Sequence, residues 1–156
     1  MAGQFGGRPT SSGAEIVPLI GRQVQIVQAL LHAARSQRDA LTGMRTELLE
    51  DACRRQVQLS EELRTLERSR LGQVAAFLGM SRREARSVKM SDLIPRLPQH
   101  FREDLDRYRA AMSAAASDLQ ELNKLNRILT ERARRFSRET LNVLTNDGQP
   151  LYSARI

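Results

Sequence analysis

Residues 118–146 read DLQELNKLNRILTERARRFSRETLNVLTN, and the fold turns on how this stretch is read. It is the centre of a longer series in which Leu105, Tyr108, Met112, Ala115, Leu119, Leu122, Asn126, Leu129, Ala133, Phe136, Thr140 and Val143 recur at alternating intervals of three and four. That spacing places mostly apolar side chains on one stripe of a helix, with Arg, Lys, Glu and Asp on the remaining faces. A helix of this kind cannot bury its stripe alone, so it needs partner helices from elsewhere in the chain.

Two earlier stretches supply them. Ile20, Val24, Val27, Leu31, Ala34, Arg38 and Leu41 form one seam. Leu49, Ala52, Gln56, Leu59, Leu63, Leu66, Arg70, Val74 and Phe77 form another. Gly43 interrupts the pattern between the two and is read as a turn, the alternative being a costly glycine within one long helix. Ser12 and Glu15 have capping-box spacing, but Pro18 fits only the first turn, which puts the firm helix start near Val17. Gly79 closes the second helix. The expected helices are about 17–42, 46–78 and 98–145, joined by a connector over 80–97. In that connector Ser81 and Glu84 have capping-box spacing, Ser91 is a candidate cap, and Pro95 and Pro98 stop any long helix, Pro98 standing at the opening position of the third. Residues 1–13, rich in Gly, Ser, Gln and Pro, read as a disordered leader, and residues 147–156 as a flexible tail. Strand alternation is absent. The expected fold is all-α, an elongated antiparallel three-helix bundle or coiled coil with a long C-terminal helix. At ~1.5 Å per residue the third helix spans ~70 Å, against ~40 Å and ~50 Å for the others, so one end must overhang or be covered by something else.

Composition narrows the function. The chain of 156 residues suits one domain, with 40% hydrophobic and 28% charged residues and only 4% aromatics. A single cysteine, Cys53, rules out an internal disulfide and fits a reducing cytoplasm. The N-terminal residues lack the apolar segment of a signal peptide, and no apolar run approaches the ~18–20 residues that span a bilayer, which excludes membrane insertion.

An enzyme reading needs converging reactive groups, and the sequence has none. Phosphate-binding, dinucleotide, nucleophile-elbow and zinc-protease motifs are all missing. His32 and His100 lie on separate elements without ligand neighbours, and Cys53 reads as a half-buried structural thiol. No catalytic residue, metal site or cofactor is assigned. The net charge of +7 is carried almost wholly by arginine, Lys89 and Lys124 being the only lysines. Arg132, Arg134, Arg135 and Arg138 cluster on the last third of the long helix. That cluster reads as a solvated face, a phosphate contact or a contact for an acidic protein partner. No aromatics interleave with it as stacking platforms, which counts against single-stranded nucleic acid.

One run in the long helix carries a resemblance. Glu121-Leu122-Asn123-Lys124-Leu125-Asn126-Arg127-Ile128-Leu129 resembles a motif of the FlgN family of flagellar export chaperones, a Leu-Asn pair followed by Asn and then an apolar residue. Leu141-Asn142-Val143-Leu144 with Leu151-Tyr152-Ser153 is similar to the family's closing helix and tail tyrosine, residues 63–79 to the end of its second helix, and residues 91–98 to its connector. The tail departs from the family in having Ser153 where a glycine usually follows the tyrosine. The resemblance implies a cytoplasmic chaperone of the flagellar type III export system. It would bind the C-terminal helical segments of the hook–filament junction proteins, hook-associated proteins 1 and 3, prevent their premature assembly, and deliver them to the export gate and its ATPase complex. An amphipathic client helix laid on an unsatisfied chaperone stripe is a familiar recognition mode. The expected client-binding residues are Leu122, Leu125, Ile128, Leu129, Phe136, Val143 and Leu144, with Tyr152 as a docking handle for the export gate. Two other readings stay open, a coiled-coil adaptor that forms homo-oligomers and an arginine-rich nucleic-acid-binding helical protein.

Overall fold

A computed structural model describes residues 13–145, with side chains through Val143. Three long helices dominate: α1 (Ile16–Thr42), α2 (Thr46–Leu78) and α5 (Gln99–Thr145). Between α2 and α5 lie two single-turn helices, α3 (Arg82–Ala85) and α4 (Met90–Leu93), and a 3₁₀ turn over Ile94–Arg96. The expected helix bounds are met to within one residue. Successive long helices reverse direction, so α1 and α5 run parallel with α2 antiparallel to both.

The helix ends follow from local chemistry. Pro18 is the third residue of α1, where its missing N–H has no intrahelical acceptor to lose. Ser12 lies outside the described residues, and Glu15 at the N-cap makes no side-chain capping bond. The turn after α1 forms at Gly43 as expected, but the left-handed residue is the next one, Met44, at φ 52°. Arg45 N–H donates to the Ala40 carbonyl across it at 2.9 Å. α2 ends on Gly79 at φ 65°, the left-handed C-cap for which glycine carries no Cβ penalty. Ser81 and Glu84 form the expected reciprocal capping box, with Ser81 N–H donating to Glu84 Oε2 at 2.8 Å and Glu84 N–H to Ser81 Oγ at 3.2 Å. The Ser81 hydroxyl, which donates to Glu84 Oε2 at 2.7 Å, and after it the Ser81 N–H hold the Glu84 carboxyl below the usual range. Ser91 is not a cap: α4 starts one residue earlier, and Asp92 Oδ2 accepts from Lys89 N–H at 3.0 Å. Pro98 precedes α5 rather than opening it, and its carbonyl accepts from Phe101 N–H at 3.0 Å.

α1 is the central element. It packs along both α2 and α5, whereas α2 and α5 approach each other sparsely. This is why α1 is buried over far more than one stripe, with Ile26, Leu30 and Ala33 turned to Leu59 of α2, and Leu31 and Ala34 to Leu122 of α5. At one end of the hairpin Ile16, Val17 and Ile20 meet Leu71 and Val74 of α2 and Leu105 of α5. The connector closes that end by inserting Ala85, Leu93 and Leu97. Between α1 and α5, Gly21 faces the Tyr108 ring, and a Cβ there would lie 2.9 Å from it.

The polar residues that interrupt the seams pair with one another. Arg70 donates twice to Glu67, at 2.7 Å each, and buried Gln23 of α1 donates to the same carboxylate at 2.9 Å. The Arg70 hydrogen bond is the main cause of a lowered Glu67 pKa, burial opposing it. A depressed carboxyl pKa contributes stability at neutral pH that fades as pH falls through the folded-state value.

Leu105→Ala, at a fully buried core position, is expected to lower unfolding free energy by about 2–5 kcal/mol. Phe136→Ala, at an exposed position near the far end of α5, is expected to change it by less than about 0.5 kcal/mol. Denaturant titration of both variants checks the contrast. Equal losses would mean that distal α5 is part of the packed core.

Candidate functional site: the free end of α5

Every described side chain of α5 beyond Ala133, through Val143, is exposed. The cause is a mismatch in length, since α5 has 47 residues and its parallel partner α1 has 27. Asn126 sits beside Ala34, eight residues short of the α1 end, so α5 runs out of partner near residue 134. The remaining residues, at ~1.5 Å each, project on the order of 15 Å past the hairpin. This is the overhang that the seam lengths imply.

Heptad geometry explains which apolar residues face solvent. A stripe of period 3.5 on a helix of 3.6 residues per turn drifts by about 20° per heptad. Leu122 still points at α1 and is 8% exposed, packed on Leu31 and Ala34. One turn on, Leu125 and Ile128 lie on the flank, 42% and 45% exposed, while Leu129 is half-buried. Phe136 and Val143 are free of α1 altogether, at 59% and 72%. Leu125 also borders a shallow groove of about 280 Å³ between α1 and α5, lined by Leu31, Arg35, Arg38, Asp118, Glu121 and Leu122. The seven expected client contacts therefore divide. Leu122 is a packing residue whose apolar surface is already covered in the free protein. Leu125, Ile128, Phe136 and Val143 form an exposed line along α5, and Leu129 links it to the core. The Leu144 side chain and Tyr152 lie outside the described residues.

At the base of the overhang is a polar layer that touches all three long helices. Asn126 Nδ2 donates to the Ala34 carbonyl and to Gln37 Oε1, both at 2.9 Å. Gln56 Nε2 of α2 donates to the same Gln37 oxygen at 3.0 Å, and Gln37 Nε2 to Cys53 Sγ at 3.7 Å. Asn126 is 3% exposed, and its Oδ1 has no partner among the described residues. A buried asparagine in a heptad seam tolerates few alternative alignments, because any slip leaves its amide unpaired. It fixes the register of α5 on α1, and with it the length of the free end.

Sequence reading missed a second groove. On the other side of the hairpin Ala29, Ala33, Ala40, Leu48 and Ala52 line a cavity of about 510 Å³ between α1 and α2, rimmed by His32, Asp39, Arg45, Asp51 and Arg55. Alanines on a helix face read as close-packed core, and only the packing of α1 on α2 shows the gap between them. Elsewhere, Cys53 is exposed rather than half-buried, and His100 packs on Phe101 with ring centroids 3.9 Å apart. Among the described residues no group of three metal-capable side chains converges. Among the same residues no helix is long and apolar enough to cross a membrane.

A helical hairpin that carries a long third helix, with an apolar line exposed on its free end, has the build of a helical protein-binding scaffold. The family model described as FlgN protein matches residues 13–155, nearly the whole chain, and the chain belongs to the FlgN family. That is a family of flagellar export chaperones rather than of enzymes. No curated protein and no solved structure matched the chain.

Asn126→Ala is expected to cost about 1–3 kcal/mol of unfolding free energy. Combined with Gln37→Ala it should cost less than the two separate losses together, with a coupling of about 0.5–1.5 kcal/mol. Strict additivity in the double-mutant cycle would show that the two amides do not act as a unit.

Proposed function

We propose that this chain is a cytoplasmic chaperone of the flagellar type III export system whose free α5 end captures the C-terminal helical segments of the hook–filament junction proteins, hook-associated proteins 1 and 3. The observation that carries this reading is the exposed line Leu125, Ile128, Phe136 and Val143 on a helix that outruns its partner. A junction subunit's terminal segment, before assembly, is an amphipathic helix whose apolar face would otherwise self-associate. Laid along α5, it completes the missing third neighbour. Full burial of each of these side chains offers roughly 1.5–3 kcal/mol before ordering costs, which is enough for micromolar binding. Leu144 would extend the contact by a turn. Tyr152, in the tail beyond, would dock the loaded chaperone on the export gate and its ATPase complex.

The same line supports pairing of two copies, the adaptor reading, and one experiment separates them. Full-length protein is titrated by calorimetry with the C-terminal segment of a junction protein, in parallel with sedimentation of the free chain. A saturable one-to-one heat with a negative heat-capacity change supports apolar helix capture. Phe136→Asp with Val143→Asp is expected to weaken it by at least tenfold while the circular dichroism spectrum stays helical. Unchanged affinity in that folded variant would remove the anchor assignment. A free chain that sediments as a dimer and ignores the segment would replace the chaperone reading with the adaptor.

A further inference from the structure

The arginines of α5 change character where the helix leaves α1. Up to Arg127 each one has an acceptor. Arg102 donates to the Leu97 and Pro95 carbonyls at 3.4 and 3.2 Å. Arg107 pairs with Asp104, Arg109 with Asp106 at 3.5 Å, and Arg127 with Glu131 at 4.0 Å. Beyond that point Arg132, Arg134, Arg135 and Arg138 have no ion pair or hydrogen-bond acceptor among the described residues. Glu139 is the single acid between residues 132 and 143, and although it stands four residues after Arg135 it does not pair with it. The unpaired arginines coincide with the unpartnered apolar line.

Their placement relative to that line is fixed by helix geometry. Side chains three and four apart are surface neighbours. Arg132 stands four residues after Ile128 and four before Phe136, within the row that they define. Arg135 lies three residues further and borders the same edge. Any helix that covers Ile128 and Phe136 therefore brings one of its own flanks against Arg132 and Arg135. A basic flank there would bury like charges together, whereas an acidic one supplies the carboxylates that these guanidinium groups lack. The carboxylate pairing that Arg107, Arg109 and Arg127 make within α5 would then form between the chains.

Building on the chaperone reading above, we infer that the free end of α5 selects an amphipathic protein helix whose apolar stripe is bordered by Asp or Glu, with Arg132 and Arg135 as the charge-reading residues. Apolar burial holds the partner, and the arginines decide which amphipathic helix is accepted and in which register. Electrostatic complementarity of this kind chiefly sets specificity and association rate.

The test uses the full chain and two synthetic amphipathic peptides of the same apolar heptad pattern, one with glutamates and one with lysines beside the stripe. Calorimetry at low and at high salt is expected to give at least about tenfold tighter binding of the glutamate peptide at low salt, with the preference shrinking as salt rises. Arg132→Glu with Arg135→Glu is expected to reverse the preference, and Arg132→Gln with Arg135→Gln to abolish it. All four substitutions fall on exposed positions, and circular dichroism checks that the helix persists. Equal affinity for the two peptides, or a preference untouched by charge reversal, overturns this inference and leaves apolar capture standing. Failure of both peptides to bind overturns apolar capture as well. Tighter, arginine-dependent binding of a DNA duplex than of the glutamate peptide would assign these residues to phosphate and overturn the proposal.

Discussion

Two parallel helices of unequal length share one interface, and the rest of this molecule depends on that inequality. α1 is surrounded because α2 and α5 both need it, and its own apolar residues spread around two faces to satisfy them. Once α1 turns back at Gly43, α5 keeps its stripe but loses its neighbour. The exposed Phe136 and Val143 continue the seam of Leu105, Ala115 and Leu122 into a region where the chain has stopped supplying a partner. A helix with a heptad stripe and no companion has a strong physical reason to bind one.

The two ends of the hairpin are built differently, in keeping with this division. The end near Ile16 is closed by the connector, which inserts Leu93 and Leu97 into that part of the core. Packing there is apolar and specific. Towards the other end the layers become polar, first Gln23 with Glu67 and Arg70, then Asn126 with Gln37 and Gln56. Such layers contribute less to stability than leucines would, but they penalise misalignment. The last of them lies just before the overhang, where a slip of α5 by one heptad would bury or expose a whole set of apolar side chains.

Much of this was legible in the sequence. The seams, the turn after α1, the Gly79 cap and the Ser81–Glu84 box are local patterns, and local patterns report local structure. The overhang was legible too, because helix lengths can be counted. What sequence could not give was which residues of the α5 stripe are consumed inside the molecule. Leu122 and Phe136 occupy equivalent seam positions, and only the alignment of α5 on α1 makes the first a core residue and the second a free one. That alignment is set by Asn126 meeting Ala34 and Gln37 across some ninety residues of chain, a pairing that no single stretch encodes. Ser91 misled for a local reason, since the Asp92 carboxylate takes the capping role from inside the turn. The groove between α1 and α2 was hidden because alanine looks the same whether it is packed or merely small.

Hydrogen exchange along the full-length chain, alone and saturated with a junction-protein C-terminal segment, tests the central claim most directly. Amides of α5 beyond Ala133 should exchange quickly in the free protein and become strongly protected in the complex, while those around Ile20, Val74 and Leu105 stay slow in both. Protection confined instead to the groove between α1 and α2, with distal α5 unchanged, would contradict the account and place the client on the opposite side of the hairpin.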